Sequence, residues 1–337
     1  MLGTLKAQIK KILATTPKDF DAATLPWIDT ASSAEISNFV KNNPVSQELS
    51  YDLEEKLRFW QKNGYVIFEK AIADSVIDTY LSDVESLISN HQNYQSLVRV
   101  DLPEYAQMPV KPIADVPESV LRGHYLKIMD FHNSSVAGKK LMLHPAITTF
   151  LNAIWNQQTV AMQSLTFMHG SQQATHQDFA YVVSQIPSHL AASWIALEDI
   201  NQDSGPLYYY KGSHKIKKFN FGNGIFLDGQ STKNPNDFAA YLDAECKRLG
   251  LEKETLLINK GDVLIWHAAL AHGGNAIKND ELTRKSYVSH YSSVTAYHHH
   301  RLAMQEEPKR LEYNNAVVFA NPTLPNEEDI FKAGLTL

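Results

Sequence analysis

An all-β core of the β-sandwich or jelly-roll kind, flanked by helices, is what this sequence predicts. Short apolar stretches bounded by Gly, Pro, Asn or Asp follow one another through the second half of the chain, which is the pattern of strands joined by turns. Helical periodicities concentrate instead in the first third. There is no internal repeat or low-complexity segment to suggest a solenoid.

Leu5, Ile9, Ile12 and Leu13 fall at helical spacing, and a second helical pattern runs from Ser33 to Asn42 and stops before Pro44. Residues 1–50 therefore read as an N-terminal helical extension without chemistry of its own. From Tyr51 onward, Leu53, Leu57 and Trp60 share a helix face, and Gly64 stands where a left-handed cap is wanted. Tyr65–Phe68 is a buried strand, and Asp74 is expected to cap a helix with a broad apolar stripe from Val76 to Ile88. The Pro-rich stretch from Leu102 to Asp115 is expected to be a loop covering a pocket, and Pro145 opens a helix ending near Trp155. Strands are expected at Gly123–Phe131, Val160–Met168, Ala192–Ile200, Leu207–Tyr210, Thr255–Ile258, Val263–His267 and Arg284–Val294, with a helix near Asp237–Leu249. The main domain is read as residues 51–300. His298, His299 and His300 are expected to make a solvated loop, and residues 301–337 are expected to be a C-terminal tail packing on the domain or on a partner, a homodimer being one expected assembly.

Composition narrows the partners. A chain of 337 residues with 44% hydrophobic content buries a sizeable core, and a net charge of −6 offers no basic stripe for nucleic acid. The lone Cys246 rules out an intramolecular disulfide framework and fits a reducing, cytoplasmic location. No window reaches the ~20 apolar residues that span a bilayer, and the lysine-interrupted N-terminus does not read as a signal peptide.

The chemistry centres on ATHQDF, residues 174–179. On an extended strand, side chains two apart share a face, so His176 and Asp178 can converge on one metal ion. With a distant second His they would form the facial triad that holds non-haem Fe(II) and leaves positions open. His267 and His272 both qualify for that role, and spacing alone does not choose between them. Arg284 and Ser286, again two apart, offer a guanidinium fork and a hydroxyl suited to one end of a small dicarboxylate.

Four stretches resemble the phytanoyl-CoA dioxygenase (PhyH) family of Fe(II)/2-oxoglutarate-dependent oxygenases: His176-Gln177-Asp178; Trp194 through Asp199; Ser204-Gly205-Pro206-Leu207 with Lys211-Gly212-Ser213-His214; and Gly261-Asp262 through His267 to His272-Gly273-Gly274. The resemblance runs from about Leu57 to Tyr291. It implies a double-stranded β-helix (jelly roll, cupin-like), Fe(II) held by His176, Asp178 and His272, and 2-oxoglutarate bound by Arg284, with Trp194 lining the co-substrate pocket. Ser286 joins Arg284 on the same-face argument, and Gln163 and Thr166 are candidates for polar contacts to the co-substrate. The implied reaction consumes O2, releases succinate and CO2, and hydroxylates an unactivated C–H of a small-molecule substrate. A carboxylate at Asp178 disfavours chlorination. The substrate would be natural-product, amino-acid or sugar-like, since an acyl-CoA needs cations that only Lys215, Lys217 and Lys218 are placed to offer. Tyr181, Tyr208 and Tyr210 are candidate polar contacts to it. Two rival readings use the same residues: a non-catalytic jelly-roll binding module, and a zinc-dependent hydrolase.

Overall fold

The computed structural model describes residues 17–182, 184–297 and 309–319. The helical pattern at Leu5–Leu13 and the triple His lie outside these residues, as does most of the tail. Helix α1 spans Ser33–Asn42 and opens on a capping box between Ser32 and Glu35. Helix α2, Leu53–Asn63, ends at Gly64, whose φ of +80° is the left-handed cap its position demands. Strand β1, Tyr65–Phe68, follows directly. Helix α3 runs Asp74–Ser89, but its N-cap is Ala73, with no capping side chain; Asp74 is the first helical residue.

Next comes a departure from expectation. The Pro-rich stretch is not a cover but part of an antiparallel ribbon, β2 (Leu97–Val100), β3 (Val110–Pro112) and β4 (Leu126–Met129). Helices α4 (Val136–Met142) and α5 (Pro145–Trp155) precede the long strand β5, Thr159–Phe167. The remaining strands are β6 (Leu190–Ala196), β7 (Leu207–Tyr210), β8 (Lys253–Thr255), β9 (Val263–His267), β10 (His272–Gly274) and β11 (Ser286–Ser293). Helix α6, Pro235–Arg248, lies between β7 and β8. The hairpin of β12 (Arg310–Tyr313) and β13 (Ala316–Phe319) adds β13 parallel to the start of β5 of the same chain.

Two sheets result, the layout of a jelly roll. The larger runs β1-β9-β6-β11-β5-β4-β2-β3, and the smaller runs β10-β7-β8. Alternation along the central strands sorts their side chains. Tyr287 and Tyr291 of β11 reach the carbonyls of Gly138 and Met142 in α4, so that face of the large sheet carries helices. The other face of β11, with Arg284 just before it and Val288 and His290 along it, borders the cavity shared with the small sheet.

Candidate metal centre and its cavity

His176 and His272 meet through their backbones: each amide nitrogen donates to the other's carbonyl, at 2.9 and 3.0 Å, so the turn after β5 is tied to β10. Gly273 lets β10 come this close, because a Cβ there would lie 2.5 Å from the Tyr208 hydroxyl and 2.8 Å from the Gln173 carbonyl. Asp178 opens a 3-10 turn that also carries Tyr181. The three side chains offer ligand atoms that all lie within 4.8 Å of one another. Asp178 Oδ1 is 3.6 Å from His176 Nε2 and 3.6 Å from His272 Nε2.

The tautomers are fixed from behind. His176 Nδ1 lies 2.9 Å from the Ala174 carbonyl and His272 Nδ1 lies 3.0 Å from the Leu270 carbonyl. A carbonyl only accepts, so each Nδ1 carries a proton, and Nε2 is the nitrogen turned toward the centre for a metal to bind. Burial, with His272 adding to it against the pull of Asp178, pushes the His176 imidazole down to about 3, which keeps it neutral and able to ligate. Burial alone pushes the Asp178 carboxyl up, but His272, His290 and His176 outweigh it and hold the group well below the usual carboxylate range. Two imidazole nitrogens and one carboxylate, converging at this spacing, fit a divalent cation.

These residues open onto a cavity of about 170 Å³. Arg284 lines it, 2% exposed, its guanidinium 5.6 Å from the Trp194 ring and 5.8 Å from the Phe167 ring. Its Nε has no hydrogen-bond partner, and no carboxylate pairs with it among the described residues. Burial lowers its pKa to about 10, so it stays charged at neutral pH. A buried cation without an anion is costly, so the arrangement suits an anionic ligand entering the cavity.

His272 joins the cluster, whereas His267 faces the opposite side of β9, where its Nδ1 accepts from the Ala269 amide and its Nε2 lies 3.7 Å from Asp29. Trp194 and Gln163 line the cavity. Thr166 does not, and that expectation is corrected: Gln163, Leu165 and Phe167 share the cavity face of β5, while Thr166, three positions from Gln163, faces α3 and bonds the Tyr80 hydroxyl. Ser286 is fully buried with its hydroxyl unpartnered, although it does not itself border the cavity. Of the three tyrosines, only Tyr181 lines the cavity; Tyr208 is bonded to Thr175, and Tyr210 to Asp243. The lysine cluster lies elsewhere: Lys215 and Lys218 border a separate cavity with His267 and Asp29. Sequence reasoning missed Trp266, whose Nε1 donates to Asp178 Oδ2 at 2.8 Å, and His290. The alternation from Arg284 through Ser286 and Val288 reaches His290, so a signal for it was present.

A jelly roll with two His and one Asp at the junction of its sheets, beside a buried Arg, defines the class of non-haem metal-dependent oxygenases. A profile of the phytanoyl-CoA dioxygenase (PhyH) family matches residues 60–286, and the chain belongs to that family. It is an Fe(II)- and 2-oxoglutarate-dependent dioxygenase by class. The peroxisomal phytanoyl-CoA dioxygenase of Bos taurus is 19% identical over 265 residues, covering 72% of this chain and 69% of the relative. Among solved structures, the non-haem α-ketoglutarate-dependent epimerase SnoN of nogalamycin biosynthesis superposes with a TM-score of 0.55 at 17% identity, over 80% of this chain and 98% of that one. EctD from S. alaskensis, solved with 2-oxoglutarate and 5-hydroxyectoine, gives 0.52 at 14% identity, over 90% and 86%. These two likenesses are of fold.

Proposed function

We propose that the protein hydroxylates an unactivated C–H bond of a small polar molecule, natural-product, amino-acid or sugar-like, with Fe(II) at His176, Asp178 and His272 and 2-oxoglutarate anchored by Arg284. The observation that carries this reading is the buried, unpaired guanidinium opening onto the same small cavity as three converging metal donors. A zinc hydrolase or a binding module would need the fold but gives no reason for that guanidinium.

Bound iron, with O2 and 2-oxoglutarate, supplies the oxidising chemistry, and succinate and CO2 leave. The chain's own residues do the rest. The carbonyls of Ala174 and Leu270 keep both imidazoles in the ligating tautomer. Arg284, flanked by Phe167 and Trp194, receives the far carboxylate of the co-substrate, with the orphan Ser286 hydroxyl on the same strand face and Gln163 further along the cavity. Leu165, Leu207 and Val288 give the cavity apolar walls that limit water.

Tyr181, Gln173 and Ser171 are the polar groups left for the substrate, and Arg284 is the only lysine or arginine lining the cavity among the described residues. With Arg284 taken by the co-substrate, an acyl-CoA would meet no further lysine or arginine for its phosphates there among the described residues. In an assay of succinate release, small polar candidates should stimulate turnover with Fe(II), and acyl-CoA esters should not. Stimulation by an acyl-CoA, or Zn(II)-dependent hydrolysis without 2-oxoglutarate, would contradict the reading.

Two further expectations belong to this proposal: a catalytic domain bounded near residues 51 and 300, and a cytoplasmic setting. The single, buried Cys246 supports the latter. No helix among the described residues is long and apolar enough to cross a membrane. The bovine relative is named as peroxisomal, so organelle fractionation decides between the compartments.

A further inference from the structure

We infer that His290 is a positioning residue for the metal centre: together with Trp266 it holds the outer oxygen of Asp178, so that only the inner oxygen faces the two ligand imidazoles. The inference rests on the iron reading above and adds a residue that the sequence motifs do not single out. His290 is 4% exposed, on the cavity face of β11, immediately before the register shift between His290 and Tyr291. Its Nδ1 lies 3.2 Å from Gln163 Nε2. An amide nitrogen only donates, so Nδ1 accepts and the ring proton sits on Nε2.

That proton points toward the metal carboxylate. His290 Nε2 is 3.6 Å from Asp178 Oδ2, the same oxygen that accepts from Trp266 Nε1 at 2.8 Å. The other oxygen, Oδ1, stands 3.6 Å from each ligand nitrogen. The carboxylate is thus divided. One oxygen belongs to the scaffold, held from β9 by Trp266 and approached from β11 by His290; the other is left to offer a metal. Gln163 is the far end of this chain of contacts, and its part is to fix which nitrogen of His290 carries the proton. A histidine that merely filled the core would need neither the amide on one side nor the carboxylate on the other.

The test is anaerobic titration of metal-free protein with Fe(II), comparing wild type with His290→Ala, His290→Gln and Gln163→Leu. His290→Ala should weaken Fe(II) binding about tenfold. His290→Gln, which keeps a donor, should recover most of that loss. The affinity of the iron-loaded protein for 2-oxoglutarate should stay within about twofold, and the melting temperature of the metal-free protein should be unchanged, whereas a purely structural role would move the latter. Gln163→Leu should show a smaller loss of Fe(II) affinity, and this Fe(II) titration alone, made before any 2-oxoglutarate is added, carries the test if His290→Ala does not fold. Wild-type iron affinity in His290→Ala, or a loss confined to 2-oxoglutarate binding, would overturn the inference. A wild-type protein that binds no Fe(II) would overturn the iron reading itself, which is a different outcome.

Discussion

Two backbone carbonyls decide how His176 and His272 meet a metal. In both cases the acceptor is the carbonyl two residues earlier, Ala174 and Leu270, so the chain's local path sets the tautomer without help from another side chain. His267 lacks that arrangement: its Nδ1 already accepts from the Ala269 amide, and its ring faces Phe20, Trp60 and Asp29. His272→Ala should therefore weaken Fe(II) binding by more than about 100-fold, while His267→Ala leaves it within about threefold. Equilibrium dialysis of the two variants checks this, and the reverse order would mean that the wrong His had been placed at the centre. Arg284 makes a separable prediction. Because its guanidinium faces the cavity without a protein partner, Arg284→Ala should raise the 2-oxoglutarate requirement about 10- to 100-fold, the range of a lost charge-assisted bond, with iron affinity little changed.

At the scale of the element, β10 is short, and its position depends on what it lacks. A methyl at Gly273 would strike Tyr208 and Gln173, so Gly273→Ala should displace β10 and with it His272. The expected cost is about 2 kcal/mol of stability, with a parallel loss of iron affinity, read by denaturant unfolding and metal titration. A Gly273→Ala protein of wild-type stability and affinity would show that β10 has room to spare. Elements of this kind differ in how legible they were. The helix over Leu53–Asn63, the strand Val263–His267 and the strand Leu207–Tyr210 could be read directly, since Gly64, Gly261 and the Gly205-Pro206 turn punctuate them locally. The strands at Leu97–Val100 and Val110–Pro112 could not, because they exist by pairing with each other and with Leu126–Met129, and a Pro-rich stretch carries no local sign of that. The choice between His267 and His272 was closed for the same reason. Every residue of Val263–His267 is buried, so no polar alternation marks which face sees the cavity. The His-x-Asp pair was legible as a motif, but its two side chains converge through a bridge at His176 and a 3-10 turn at Asp178 rather than along an extended strand, and Arg284 reaches the cavity from just before its strand while Ser286 does not border it.

Across the whole molecule, the metal cavity lies between the two sheets, and a second cavity is lined by Asp19, Phe20 and Asp29 together with His214, Lys218 and His267. Lys218 is buried there, donating to the carbonyls of His214 and Ile216 and lying 4.6 Å from the centre of the Phe20 ring. Burial pushes its pKa down from 10.5 to about 8. Between these two values the unfolded chain holds a proton that the folded chain has released. Stability should therefore rise with pH across that window relative to Lys218→Met, by at most about 3 kcal/mol. Below pH 8 the charge must stay buried, and the difference between the two proteins should be constant. A flat difference from pH 7 to 10 would show that Lys218 reaches solvent. The metal and the anion must meet in the one cavity lined by His176, Asp178, His272 and Arg284. Metal-free protein titrated anaerobically with Fe(II) and then 2-oxoglutarate should develop the weak visible charge-transfer absorption of a chelated keto acid, and Asp178→Ala should not. Iron binding without that absorption in the wild type, or the same absorption in Asp178→Ala, would contradict the account.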